Sequence, residues 1–142
     1  MYVETILQSK GSEVYTLPDS GRLADAVAAL NQHNIGALVI TGGNGRIIGI
    51  LSERDIVRRL GNDPSGALDL AIADCMSRDI VTCTRDTTIA DVMELMTHHR
   101  IRHMPVVDGE ALAGIISIGD VVKRKIEETE QEAAALKEYI AS

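Results

Sequence analysis

Apolar and polar positions along the chain fall into a series of short blocks, and the series runs twice. Val14 to Leu17 reads as a short strand ended by Pro18. Leu23, Val27 and Leu30 recur on one helical face, so a helix is expected to about His33, capped by Asp19 or Ser20. An apolar strand follows at Ala37 to Thr41, then the turn Gly42-Gly43-Asn44-Gly45, a return strand at Ile47 to Leu51 and a helix from Glu53 to Leu60. Gly61-Asn62-Asp63-Pro64-Ser65-Gly66 punctuates the chain, and a short helix is expected at about Leu70 to Met76. The order then returns: a strand at Ile80 to Cys83, a helix at Thr88 to His99, strands at His103 to Val107 and Leu112 to Ile116, and a final helix starting at Ser117. Each half is β-α-β-β-α, with short apolar strands of the kind found in a sheet covered by helices. On the final helix Val122, Ile126, Ala133, Leu136 and Ile140 fall near a spacing of about 3.5 residues, with Thr129 in the gap. That stripe suits a dimer seam and a face packed back on its own domain equally well.

The halves also match residue by residue. Gly49-Ile50-Leu51-Ser52-Glu53-Arg54-Asp55 returns as Gly114-Ile115-Ile116-Ser117-Ile118-Gly119-Asp120. Upstream, Thr16 aligns with Thr82, Leu23-Ala24-Asp25 with Ile89-Ala90-Asp91, His33 with His99 and Ile35 with Ile101. The second copy is one residue shorter, near Asp108-Gly109-Glu110. Two copies imply a pseudo-two-fold pair, because an open solenoid needs three or more repeats.

The repeated heptapeptide has two physical readings. Its aliphatic pair ends a strand, and Ser52 or Ser117 stands where the chain enters a helix and caps it. A helix start carries unpaired N–H groups and partial positive charge, which suit an anion or a polar ligand. Asp55 and Asp120 lie about one turn on, where a carboxylate can accept both hydroxyls of a ribose, as an acidic residue does in dinucleotide folds. The plainer reading is that Ser-x-x-Asp approximates a capping box, and an early helical Asp favours the helix dipole by itself. Two copies, each after a glycine that clears backbone space, favour a ligand site.

These residues, with Ile35-Gly36-Ala37-Leu38-Val39-Ile40 before the first motif and Arg102-His103-Met104-Pro105-Val106-Val107 before the second, make the chain resemble a tandem pair of cystathionine-β-synthase (CBS) domains of the stand-alone type. The resemblance implies an α+β fold in which two β-α-β-β-α repeats pack with pseudo-two-fold symmetry, at 12–66 and 77–125, with 126–142 a helical extension. It implies a regulatory module that binds an adenosyl ligand (AMP, ADP, ATP, NAD(H) or S-adenosylmethionine) in clefts between the repeats and signals to a partner protein. Asp55 and Asp120 would hold ribose, and Ser52 and Ser117 would contact ribose or phosphate. Ile35, Leu38, Leu51, Ile101, Met104, Pro105 and Ile116 would line the base. Thr16 and Thr82 start each copy near the ligand, and Tyr15 edges the first cleft. In such pairs basic residues just before the second strand commonly meet phosphate. Here Arg102 and His103 stand in one copy against Gly36 and Ala37 in the other, so the clefts should be unequal, with Arg54 a further phosphate candidate. A protein-interaction or dimerisation module with vestigial clefts is the alternative.

Composition narrows the rest. The 142 residues suit one compact unit of two small subdomains. With no Trp or Phe and three Tyr, a base would be clamped mainly by aliphatic side chains. The formal charge of −7 argues against nucleic acid or an anionic membrane as partner. Part of it is local, since Glu127, Glu128, Glu130, Glu132 and Glu138 face only Lys137 in the tail. Cys75 and Cys83 lack metal-ligand spacing and read as reduced thiols. Met1 to Lys10 is not a signal peptide, and no apolar run approaches a membrane span, so a cytoplasmic protein is expected. Gly42-Gly43-Asn44-Gly45 lacks the Lys and Ser/Thr of a phosphate-binding loop, and no Ser or Cys has a recognisable base partner. No enzyme activity, catalytic cofactor or metal is expected. A homodimer is, since closed two-fold pairs are the commonest way to cover apolar helix faces.

Overall fold

The computed structural model describes residues 1–142, which fall into two compact units, 14–80 and 1–13 with 81–142.

In the unit of residues 14–80, β1 (Thr16–Pro18) lies parallel to β2 (Ala37–Thr41), and β2 is antiparallel to β3 (Ile47–Ser52). Helices α2 (Leu23–His33), α3 (Glu53–Asn62) and the short α4 (Ile72–Cys75) complete it. Leu23, Ala26, Leu30, Leu38, Ile40, Leu51, Ile56 and Ile72 form its core. The helix α2 begins later than a cap at Asp19 or Ser20 would allow. Arg22 bridges Ala71, and the Leu23 amide donates to the Leu70 carbonyl, which holds residue 22 extended. The Asp25 carboxylate then accepts the Arg22 N–H at 2.9 Å. α2 ends at Asn34, whose φ of 52° is left-handed, a conformation Asn tolerates well.

The other unit repeats the plan with α5 (Ile89–His99), the antiparallel pair β4 (His103–Asp108) and β5 (Ala111–Ser117), and the long α6 (Ile118–Ala141). Its first strand is reduced. Ile80 to Cys83 was expected to be a strand; only Cys83 pairs, through a single parallel bridge to Val106. The Cys83 N–H donates to Pro105 O, and Cys83 O accepts from Val107 N–H. Pro105 has no N–H of its own to extend this ladder.

In place of a longer strand, this unit takes in the chain's first residues as a helix, α1 (Val3–Lys10). Val3, Ile6 and Leu7 are buried in a core with Ile89, Val92, Met96, Met104, Val106, Ile116 and Val121. Main-chain bonds from Val3 to Thr87 and from Glu4 to Arg85 fix its entry, and Arg85 pairs with both Glu4 and Asp108. No helix is long and apolar enough to cross a membrane.

Candidate functional site

Both copies of the heptapeptide form the same local object. β3 and β5 each end at the motif serine, which is extended (φ −108° and −105°) and caps the helix that follows. Ser52 N–H donates to Asp55 Oδ2 at 2.9 Å, and Asp55 N–H to Ser52 Oγ at 3.4 Å. Ser117 N–H donates to Asp120 Oδ2 at 2.9 Å, and Asp120 N–H to Ser117 Oγ at 3.2 Å. Each is a complete capping box. The carboxylates thus stabilise their own helix starts through Oδ2. Both aspartates are half-buried.

The glycines before the motifs clear space for protein. A Cβ on Gly49 would stand 2.5 Å from the Met76 sulfur and 3.0 Å from the Ser77 carbonyl oxygen. On Gly114 it would stand 2.7 Å from Leu7 Cδ2.

The neighbouring strand sets the residues beside each helix start. Ala37 is the cross-strand partner of Ser52, and His103 of Ser117. The Gly36 carbonyl accepts the first amide of α3, from Glu53, at 3.0 Å; the Arg102 carbonyl accepts the first amide of α6, from Ile118, at 2.8 Å. One helix start is therefore flanked by Gly36 and Ala37, the other by Arg102, exposed, and His103, half-buried. Arg54 is exposed in the first turn of α3.

The aliphatic candidates divide. Leu38, Leu51, Met104 and Ile116 are completely buried in the cores of their own units, and Pro105 is buried beside them. Ile35 and Ile101 keep partial exposure at the entry to β2 and β4. Thr16 and Thr82 are exposed. Tyr15 is half-buried and stacks on His33 with ring centroids 3.5 Å apart.

The structure adds Lys10, which the heptapeptide pattern does not mark, to the second copy. Its ammonium donates to Asp120 Oδ2 at 2.7 Å and to the Ile115 carbonyl at 3.1 Å. Burial pushes the Asp120 carboxyl up, but Lys10 and the Ser117 amide and hydroxyl together hold it below the ordinary carboxylate value. The i, i+3, i+4 spacing of Val3, Ile6 and Leu7, with a basic residue in the last turn, is the signal that locates α1 and Lys10.

Cys75 and Cys83 are free and buried. Burial pushes the Cys83 thiol up to about 11.

The CBS-domain family model matches residues 7–62 and 72–127. The mitochondrial CBS domain-containing protein CBSX3 of Arabidopsis thaliana is 37% identical over 120 residues, 82% of this chain; the chain spans 58% of that relative's length. A CBS-domain containing protein of Agrobacterium tumefaciens shares the fold with a TM-score of 0.84 and 38% identity, over 87% of this chain and 92% of its own. The CBS domain pair of protein MJ0100, solved with 5′-methylthioadenosine and S-adenosyl-L-methionine, aligns with a TM-score of 0.80 and 25% identity over 90% of this chain and 98% of that one.

Proposed function

The chain belongs to the CBS-domain family, with two copies covering most of its length, and from that premise we propose that it is a non-enzymatic sensor of an adenosyl ligand. The ligand is an adenine nucleotide (AMP, ADP, ATP or NAD(H)) or S-adenosylmethionine. The observation that carries this is the repeated helix start: a half-buried aspartate, held by its own serine through Oδ2, stands one turn into α3 and again into α6. The MJ0100 pair, solved with two adenosyl compounds, supports it. In this reading Asp55 and Asp120 accept ribose hydroxyls, and Ser52 and Ser117 contact ribose or phosphate. Ile35 and Ile101 meet the base with side chains, while Leu38, Leu51, Met104, Pro105 and Ile116 shape the strands beneath it. Thr16, Thr82 and Tyr15 border the ligand. Arg102, His103 and Arg54 neutralise phosphate. The two positions are unequal, since only the second has a basic pair beside its helix start. The protein acts in the cytoplasm as a homodimer, and its output passes to another protein.

Calorimetric titration of AMP into Asp55→Ala and Asp120→Ala tests the reading. Loss of a charge-assisted acceptor should weaken binding at the altered copy by roughly 10- to 150-fold, the equivalent of about 1.5–3 kcal/mol. Each variant also loses half a capping box, worth about 0.5–2 kcal/mol of stability, so titration should be done well below the melting temperature. Unchanged affinity in both variants would reject ribose recognition by these residues.

The second reading is an interaction module whose ligand positions are vestigial. The closed capping boxes favour it, because they give both aspartates a structural task without any ligand. Under this reading no adenosyl compound at millimolar concentration shifts the melting temperature.

A further inference from the structure

The two motif carboxylates differ in one respect that the heptapeptide itself does not encode. Asp55 Oδ2 accepts only from its own Ser52. Asp120 Oδ2 accepts from Ser117 and also from the ammonium of Lys10, at the far end of the chain. This placement is built. Leu7 packs on Gly114, where even a Cβ would intrude, and Arg124 bonds Ser9 one residue before Lys10. Gly11, with φ of 90°, ends α1 immediately after it. The ammonium is thus delivered to the half-buried carboxylate by a helix anchored in the core.

We propose that Lys10 is a specificity-determining residue of the second copy: it competes with a ribose diol for Asp120 and finds a new partner only when the ligand carries an anionic phosphate. The inference rests on Asp120 as the ribose acceptor. A diol that takes Asp120 must displace or share the ammonium. The displaced charge sits on a flexible four-carbon stem and can swing a few ångströms, about the distance from a ribose diol to its 5′ substituent. The phosphate of AMP pairs with it there, with Arg102 and His103 flanking the same helix start. The neutral thioether of 5′-methylthioadenosine gives it no anion. The sulfonium of S-adenosylmethionine repels it. The second copy therefore prefers nucleotides to thioether and sulfonium adenosyl compounds, by a device the first copy lacks.

The test is calorimetry with AMP and 5′-methylthioadenosine in an Asp55→Ala background, which isolates the second copy. Lys10→Met keeps the stem and removes the charge. It should tighten 5′-methylthioadenosine and weaken AMP, so that their affinity ratio falls by roughly 10-fold or more. Lys10→Arg should keep the wild-type ratio. Asp120→Ala should weaken both ligands together. If Asp120→Ala weakens both ligands but Lys10→Met leaves their ratio unchanged, the role of Lys10 is overturned and ribose recognition stands. If Asp120→Ala changes neither, or neither ligand binds the parent, ribose recognition fails and the role of Lys10 with it.

Discussion

Asp120 Oδ2 serves two partners, the Ser117 N–H and the Lys10 ammonium, and that crowding has a pH signature. Its carboxyl is depressed, so the folded state releases the proton more readily than the unfolded chain. Stability from the pair is present above the ordinary value of 3.8 and is lost as pH falls through the lower folded value. Lys10 is 36% exposed, so solvent screening limits its share to below about 1 kcal/mol. Urea denaturation at pH 7 and pH 3 should show Lys10→Met closing the gap to wild type at the acid end. Cys83 carries the opposite sign. Its thiol is raised to about 11, so the folded chain holds the proton where the unfolded chain has lost it, and stability falls between about pH 9 and 11. At pH 8 both buried thiols should resist a thiol-reactive dye in the native protein and react fully in denaturant. Prompt native labelling of Cys83 would contradict its burial.

At the scale of elements, the two glycines should respond differently to the same substitution. Gly49→Ala drives a methyl against the Ser77 carbonyl, which is held by paired bonds to Ile50 and cannot retreat. Overpacking of that kind costs about 1–3 kcal/mol. Gly114→Ala meets no backbone, only the Leu7 side chain, whose end must shift within the core of its unit. Its cost should be the smaller of the two, toward the lower end of about 1–3 kcal/mol, and a denaturant melt that ranks them in the other order would refute this. What the sequence revealed follows the same lines. Helices with strong periodicity and a side-chain cap, such as α5 after Thr88 and α3 after Ser52, were legible because the signal is local. The strand expected at Ile80 to Cys83 was not lost for want of β-formers. Its partner offers Pro105, and tertiary pairing decided the outcome. Ser20 has the chemistry of a cap, but α2 starts after Arg22 because a long-range bridge from Arg22 to Ala71 sets its entry. In the candidate site, Ser52, Asp55, Ser117 and Asp120 were legible as a motif. The burial of Leu38, Leu51, Met104 and Ile116 was not, because alternation shows that a residue faces a core but not whether any surface is left to a ligand.

For the whole molecule, the last dozen residues of α6 carry an apolar stripe that nothing within the chain covers. Val121 anchors the helix in its unit's core, and Lys125 and the chain's amino group both reach Glu128. Beyond Thr129 every residue is exposed, including Leu136, Tyr139 and Ile140. An isolated helical stretch of that length is marginal in water, since propagation must offset a costly nucleus without tertiary support. Leu136 and Ile140 stand four apart on one face, in line with the exposed Val122 and Ile126. A second copy laid along this stripe would cover it, in the closed two-fold arrangement that most small oligomers adopt. The prediction is that a chain ending at Glu130 keeps its melting temperature at low micromolar concentration, because the removed segment buries nothing within the chain. The same truncation should lower the mass by light scattering at tens of micromolar from two chains to one. Leu136→Glu with Ile140→Glu should do likewise and reduce helicity by circular dichroism, as an unsupported helix end frays. A full-length mass of one chain at that concentration would exclude the dimer. A truncated chain that still doubles would move the association to another surface and leave the exposed stripe without this role.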